Sequence, residues 1–372
     1  MQNNTHSFLK VVVLSIFATL FWRHFFVGDK RYTLARTSSS VEGRITPNNS
    51  LPNLTSAIKP KLFYCGYPLK KLQSLLFPDF QSEGNVVKGM NSSPSDLILY
   101  GMHGDCIPGF DEAANYQYIE QNFKGTTILV NGEPNGNIVS DYPHLKTFYQ
   151  LGGPVDDTVR TIKLFYVIII FSFLKSYFQQ QILGGEVRPA WNGKLSKMVY
   201  MQSHCVSYRQ QAALELASVL DIDVPKGKCS VNHGNVNHVD IETLYSVKHM
   251  DWMDNWKVFE NYKYCLVMEN SKVLGYVTEK ILQAFLGGCL PIYWGTEEVF
   301  EIFNERAFLY YEPGITIKEI SYLELNSTAY KERASAPILA HGNTTVWKYL
   351  SLQDRIGGGI LKKRIRTMLG IE

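Results

Sequence analysis

The sequence predicts an α/β protein with two domains in tandem, and three observations carry that expectation. Short apolar runs bounded by Gly, Pro or Asn alternate with helical stretches along most of the chain. One polar, Gly- and Pro-containing break divides that alternation in two. A chain of 372 residues, 45% hydrophobic, can bury a full core, and its length alone suggests roughly two domains. Alternating strand and helix argues for a mostly parallel sheet in each half, with a cleft between the halves that places ligands outside the carboxyl ends of the strands.

In the first half, KLFYCGY from Lys61, DLILYG from Asp96 and TTILVNGEPNG from Thr126 read as strands. Residues 161–183, TIKLFYVIIIFSFLKSYFQQQIL, are apolar enough to raise the question of a membrane span. The uncharged run between Lys163 and Lys175 is short against the ~20 residues a span needs, which favours a buried core helix. The break is GGEVRPAWNGKLSK, Gly184 to Lys197. After it, MVYMQSH reads as a strand, YRQQAALELASVL as an amphipathic helix, YKYCLVMEN as a buried strand and RAFLYYEP as another. The expected organisation is therefore 1–28 tail and membrane anchor, 29–58 stem, 59–190 first α/β domain, 191–340 second α/β domain, and 341–372 a basic C-terminal helical segment. That last segment, RIGGGILKKRIRTMLGIE, is amphipathic, suited to packing across the domains or to a membrane surface.

The anchor is FLKVVVLSIFATLFWRHFFVG, Phe8 to Gly28, with Lys10 and Arg23 placed to snorkel. No small-x-small cleavage site follows its apolar core, which favours an uncleaved anchor over a secretory signal. Arg23, Lys30, Arg31 and Arg36 follow the segment and Lys10 alone precedes it, opposite to the bias of an N-in anchor. Residues 29–58 are rich in Ser, Thr, Asn and Pro and read as a tether. Glycosylation sequons begin at Asn48 and Asn53 and recur at Asn91, Asn326 and Asn343. The six cysteines show no zinc-type spacing, so disulfides are the expectation in an oxidising compartment, with the pairing open. A net charge of +3 spread along the chain argues against nucleic acid as a partner.

The chemistry concentrates in GYVTEKILQAFLGGCLPIYWG, Gly275 to Gly295. Thr278 is the N-cap, Ile281, Leu282, Phe285 and Leu286 supply an apolar face, and Gly287 and Gly288 stop the helix. The head of such a helix attracts anions, and Lys280 in its first turn adds a full charge that opposes the helix dipole. That local conflict is expected where a site outranks stability. Glu279 suits the dipole without any ligand. Beside Tyr276, Glu269 and Asn270, however, the set fits a nucleotide-sugar diphosphate: a base and amides for phosphate, a carboxylate for a ribose diol, an amide for either.

The run YKYCLVMENSKVLGYVTEKILQAFLGGCLPIYWG resembles the donor-binding motif of family 10 glycosyltransferases, the α-1,3/1,4-fucosyltransferases. That motif runs Phe/Met-Glu-Asn-Ser/Thr, a spacer, Tyr-Val/Ile-Thr-Glu-Lys, then a Pro-containing strand. The likeness is specific from Tyr262 through Pro313 and weaker from Leu62 to Pro337. The resemblance implies a glycosyltransferase fold of the B type, two Rossmann-like domains facing a cleft. It also implies GDP-fucose as donor, inversion at the fucose anomeric carbon, and no obligatory metal. Carried over, Glu279 is similar to the ribose-binding acid and Lys280 to the diphosphate-binding base, with Glu269, Asn270, Tyr276 and Thr278 in the donor pocket. Arg209 matches the family's arginine at the start of the helix after the first donor-domain strand, where a guanidinium gives the departing diphosphate fixed donors.

An inverting transfer needs one carboxylate to deprotonate the acceptor hydroxyl. Glu133, in NGEPN, stands where the family carries its catalytic glutamate, although the residues around it depart from the usual pattern, and Asn-Gly and Glu-Pro also simply punctuate turns. Glu269, Asp156 and Asp157 are the rival carboxylates. Asp221-Ile222-Asp223 has the Asp-x-Asp form of metal-dependent transferases but reads as a helix-to-loop connection, and His233 and His238 lack further ligands. Gly227 to Cys229, GKC, is similar to a family feature and makes Cys229 a disulfide candidate. The resemblance, taken with the anchor and stem, leads us to expect a Golgi-membrane, single-pass type II fucosyltransferase with a lumenal catalytic domain, acting on a GlcNAc hydroxyl of an N-glycan, α-1,3 linked. Another nucleotide-sugar-dependent transferase and a non-catalytic, membrane-anchored glycan-binding protein are the competing readings.

Overall fold

The computed structural model describes residues 59–65, 70–101, 106–184, 195–202, 205–226, 234–244 and 252–371. The anchor, the stem, Asn48, Asn53, Cys229 and His233 lie outside these. Two six-stranded sheets, each wholly parallel, organise the described residues. In the first, β1 (Lys61–Cys65), β2 (Gln81–Asn85), β3 (Leu97–Gly101), β4 (Thr126–Val130), β5 (Phe148–Leu151) and β6 (Thr161–Ile162) lie in the order β2-β1-β3-β4-β5-β6. In the second, β7 (Leu195–Val199), β8 (Ile222–Pro225), β9 (Val236–Val239), β10 (Tyr262–Met268), β11 (Leu290–Trp294) and β12 (Leu309–Tyr310) take the order β12-β11-β10-β7-β8-β9. Every residue of β3 and β10 is buried, as expected of central parallel strands covered on both faces.

The helices that matter to the site are α1 (Lys70–Leu76), α2 (Glu112–Asn122), α3 (Tyr166–Phe173), α4 (Ser176–Gly184), α5 (Ser207–Leu216), α6 (Glu279–Gly287), α7 (Thr316–Leu325), α8 (Ser327–Ala334) and α9 (Ile360–Met368). α6 starts after Thr278 and ends at Gly288, whose φ of 68° is the left-handed cap that glycine adopts without penalty. Its Ile281, Leu282, Phe285 and Leu286 sit in a core that also takes Leu62, Leu99, Val167 and Ile168 from the first half of the chain. One hydrophobic core therefore runs through both sheets' neighbourhoods, and Val167 N–H donates to Val277 O at 3.0 Å across the join. Phe285→Ala, removing a fully buried ring, is expected to cost about 3–5 kcal/mol in a denaturant titration.

Two sequence expectations change. Residues 161–183 are not one helix: Thr161–Ile162 add an edge strand, and α3 and α4 are separated at Leu174–Lys175. Phe165 and Leu174 take extended backbone at either end of α3, which limits it to eight residues. Val167 to Phe171 are buried in the core, and among the described residues no helix is long and apolar enough to cross a membrane. Asp223 belongs to β8, not to a connection, because Ile222 and Val224 alternate with it into the apolar core. Its buried carboxylate accepts from Tyr262 Oη at 2.8 Å and Asn237 Nδ2 at 3.1 Å. His238 is an exposed residue of edge strand β9.

The C-terminal segment packs back on the first half. Buried Arg366 of α9 donates to both oxygens of Asp79, at 2.8 and 3.1 Å, and to Leu76 O of α1 at 2.9 Å. Gln353 Nε2 donates to Ser172 O in α3 at 2.6 Å. Disulfides join Cys65 to Cys106 and Cys265 to Cys289, each within one half of the chain. Removing the second by Cys265→Ser with Cys289→Ser is expected to cost about 2–4 kcal/mol of unfolding free energy, read by denaturant titration under non-reducing conditions. Asn91 and Asn343 are exposed, and half-buried Asn326 caps α8 by accepting from Ala329 N at 3.0 Å.

Candidate active site

Strand order reverses between β10 and β7: α5 leads from β7 to β8 on one side, α6 from β10 to β11 on the other. The carboxyl ends of these two strands are where a doubly wound sheet receives a ligand. Glu269 follows β10 directly, fixed there by its N–H to Trp294 O at 2.8 Å. Its side chain is 0% exposed and fully engaged. The carboxylate accepts from Thr278 N and Thr278 Oγ1, both at 2.7 Å, from Lys280 Nζ at 3.1 Å and from Tyr293 Oη at 3.5 Å.

This arrangement explains the helix head. Thr278 is the N-cap residue of α6, but its hydroxyl donates to Glu269 and makes no cap bond to the helix. Lys280 Nζ in turn donates to Thr278 Oγ1 at 2.8 Å. Thr278 therefore caps none of the first amides of α6, which stand beside a lysine held 27% exposed. That combination can receive an anion. Burial alone would lower the Lys280 pKa, yet the adjacent Glu269 and Glu279 carboxylates outweigh it and hold the ammonium well above its ordinary range.

Glu279 is 14% exposed, with Lys280 Nζ at 3.8 Å. Burial raises its pKa against the opposing pull of Lys280. A carboxyl raised in the fold binds protons more tightly folded than unfolded, so its stabilising contribution is present below the unfolded value near 4.5 and is lost as pH rises through the folded one. Above that range the buried carboxyl costs stability relative to a neutral side chain. Glu279→Gln is accordingly expected to match or exceed the parent in thermal stability at pH 7.5, while losing about tenfold or more in GDP affinity if the carboxylate holds a diol.

Arg209, in the first turn of α5, is 4% exposed. Its Nε donates to Glu269 O at 3.2 Å and its Nη2 to Asn270 Oδ1. Tyr208 Oη donates to the same segment, at 2.8 Å to Glu269 O and 2.7 Å to Asn270 O. The arginine thus brings its charge to the site and shapes the turn that presents Asn270. Tyr276 is buried, and burial pushes its phenol up to about 12. The charges that act on that phenol are Lys280, Glu269, Glu133 and Glu279, so Glu133 of the first half lies within electrostatic reach of the ring.

Glu133 is half-buried in the turn after β4, its N–H donated to Asn131 Oδ1 at 2.8 Å. Buried Asn131 closes that turn with Nδ2 donated to Asn135 O and Gly136 O, at 2.8 and 3.0 Å. The rival carboxylates are tied elsewhere. Asp156 lies 3.5 Å from Lys163, and Asp157 pairs with Arg364 of α9 at 2.5 Å while accepting from Lys163 N at 2.8 Å.

Sequence reasoning missed several polar groups here. Tyr200 Oη and Gln202 Oε1, just past β7, and Ser271 Oγ, two residues past Glu269, are buried without a hydrogen-bond partner among the described residues. Buried polar atoms rarely stay unpaired, and three at a strand-end crevice suit a polar ligand. Their only sequence signal is position just after an apolar strand run.

Residues 191–332 match the family model described as glycosyltransferase family 10 (fucosyltransferase), C-terminal part. The chain is 24% identical over 256 residues to a putative fucosyltransferase, R654, of Acanthamoeba polyphaga mimivirus, covering 65% of this chain and 38% of the relative. It is 34% identical over 90 residues to the alpha-(1,3)-fucosyltransferase FucT of Helicobacter pylori, covering 23% of this chain and 18% of the relative. A third relative, GDP-fucose protein O-fucosyltransferase 3 of Gallus gallus, is 28% identical over 145 residues, 37% of this chain and 29% of that one. The chain thus spans well under half the length of these relatives. Among solved structures it is similar to an alpha1,3-fucosyltransferase, with a TM-score of 0.56 and 19% identity over 86% of this chain and 93% of that one. The GDP-bound form of such an enzyme gives a TM-score of 0.55, at 19% identity over 86% and 94%. The fold is therefore that of a two-sheet, B-type glycosyltransferase.

Proposed function

We propose that this chain, whose residues 191–332 match the glycosyltransferase family 10 model, is a member of that family and transfers L-fucose from GDP-fucose to a GlcNAc hydroxyl of a glycan, with inversion and α-1,3 linkage. The observation that carries the reading is the head of α6, where Glu269 diverts the Thr278 hydroxyl from the helix amides and Lys280 stands beside them. A departing nucleoside diphosphate needs cations and N–H donors more than it needs an acid. Lys280, the α6 amides and Arg209 supply them. Glu279 takes the ribose diol, Asn270, Tyr276 and Thr278 complete the donor pocket, and Tyr200, Gln202 and Ser271 gain partners when the donor binds.

Glu133 acts from the opposite wall, accepting the proton of the acceptor hydroxyl as that oxygen attacks the anomeric carbon. Metal is not required in this scheme, and activity is expected to persist in EDTA. Restoration by Mn²⁺ of an EDTA-abolished activity would count against it. Two disulfides in the described residues favour an oxidising compartment. Together with the apolar segment Phe8–Gly28 and the sequons, they support a lumenal domain on a Golgi-type, type II membrane tether.

The test is GDP release by the full chain with GDP-fucose, GDP-mannose and UDP-sugars, against N-glycan acceptors. Release that requires both GDP-fucose and a GlcNAc-bearing acceptor supports the proposal. Preference for another donor sinks the fucose assignment, and glycan binding without release leaves only a glycan-binding protein. The relatives named GDP-fucose protein O-fucosyltransferase 3 favour one second reading, a hydroxyl of a polypeptide as acceptor. Folded protein acceptors in the same assay separate the two.

A further inference from the structure

Glu298, shortly after β11, sits where the two halves of the chain meet and is 8% exposed. One carboxylate oxygen accepts from Lys163 Nζ at 2.5 Å, and Lys163 belongs to the first half, directly after β6. The other accepts from the backbone N–H of Gly275, in the loop that carries Tyr276 to the head of α6. A carboxylate held this way from both sides joins one half of the molecule to the donor loop of the other.

The same loop is pressed against the first half at a second point. Gly275 has φ +75°, and a Cβ there would lie 1.9 Å from Gly153 O, so backbone rests directly on backbone. Gly153 in turn lies against the Asn131 side chain, whose Oδ1 holds the N–H of Glu133. Contact therefore runs without interruption from Lys163 through Glu298 and Gly275 to Gly153, Asn131 and the Glu133 turn. The chain of contacts begins at one ion pair and ends at the proposed base.

We propose that Lys163 and Glu298 are positioning residues: their ion pair seats the loop 271–277 against the Gly153 turn and so sets the separation between Glu133 and the donor pocket. Neither touches substrate in this scheme. The inference rests on the proposed fucosyl transfer for its catalytic consequence, but the seating of the loop can be read without any activity.

The test uses the full chain with Lys163→Met, Glu298→Gln, the double variant, and Lys163→Arg as the conservative replacement. The double variant leaves no uncompensated buried charge and so guards against simple misfolding. Hydrogen exchange of the 271–277 amides is expected to speed up by about tenfold or more in Lys163→Met and in the double variant, and to stay near the parent in Lys163→Arg. Per folded molecule, kcat is expected to fall by up to about 10²-fold with GDP affinity within about threefold, because misplacement of reacting groups costs rate more than ground-state binding. Unchanged exchange in the loop overturns the proposal, as does a lowered Tm with kcat per folded molecule intact. If the parent itself transfers no fucose, the function reading fails, and the exchange experiment still decides whether this pair seats the loop.

Discussion

Glu133→Gln is expected to lower kcat by about 10²–10⁴-fold while GDP affinity stays within about threefold of the parent. The amide preserves the side chain's size, and the turn that carries it is held by the Asn131 side chain. What it removes is the capacity to take a proton. The two readings of Glu133, turn residue or base, therefore separate cleanly. A turn glutamate made neutral leaves kcat per folded molecule unchanged, whereas a base loses most of it. The rivals predict differently as well. Asp157 is paired with Arg364, so replacing it should act on packing between α9 and the first half before it acts on rate, and Asp156 is exposed beside Lys163. Single-turnover kinetics with saturating GDP-fucose would measure the chemical step directly. Normal turnover in Glu133→Gln would move the role to another carboxylate, and full occupancy of Glu269 by four donors argues against that one.

Why the donor half was so legible follows from where its signals lie. α6 is specified by adjacent residues: an N-cap threonine, an apolar stripe, two terminal glycines. All of these fall within eleven positions, and all appear where expected. β10 is a central parallel strand and announces itself as seven consecutive buried residues. Edge strands announce nothing. β2 reads QSEGN and is largely exposed, and β9 reads VNHV with its histidine in solvent, so neither carries the apolar run that marks an interior strand. The helix expected over residues 161–183 failed for a related reason, since an apolar run identifies burial without fixing its geometry, and Thr161–Ile162 were claimed by the sheet edge.

The site shows the same division. Glu279, Lys280 and Thr278 are neighbours in sequence and could be read together. Glu269 was visible as part of a motif, but its role could not be seen, because the bonds that define it come from residues nine, eleven and twenty-four positions away. Arg209 could be placed at a helix start, yet its grip on Glu269 O and Asn270 Oδ1 is a tertiary fact. Tyr200, Gln202 and Ser271 became candidates only when their polar atoms proved to be buried and unpaired.

The second large effect is expected from Lys280→Ala, and the structure divides it into two parts. Loss of a charge-assisted contact to the diphosphate should reduce GDP affinity by about ten- to a hundredfold, corresponding to roughly 1.5–3 kcal/mol. Separately, the substitution leaves the fully buried Glu269 carboxylate without its cation, and breaking such a pair from one side costs about 3–5 kcal/mol of stability. A single variant would confuse these losses. Lys280→Ala combined with Glu269→Gln removes both charges, so stability measured by denaturant titration should recover in large part while GDP affinity measured by calorimetry should not. The pH dependence has a definite sign. Because the Lys280 pKa is raised in the fold, the pair's contribution is complete below the unfolded lysine value near 10.4 and is lost only as pH climbs through the folded one. Parent and Lys280→Ala stabilities should therefore differ most at neutral pH and converge on the alkaline side. If the double variant regains GDP affinity along with stability, Lys280 serves Glu269 alone, and the phosphate must be held by the helix amides and Arg209.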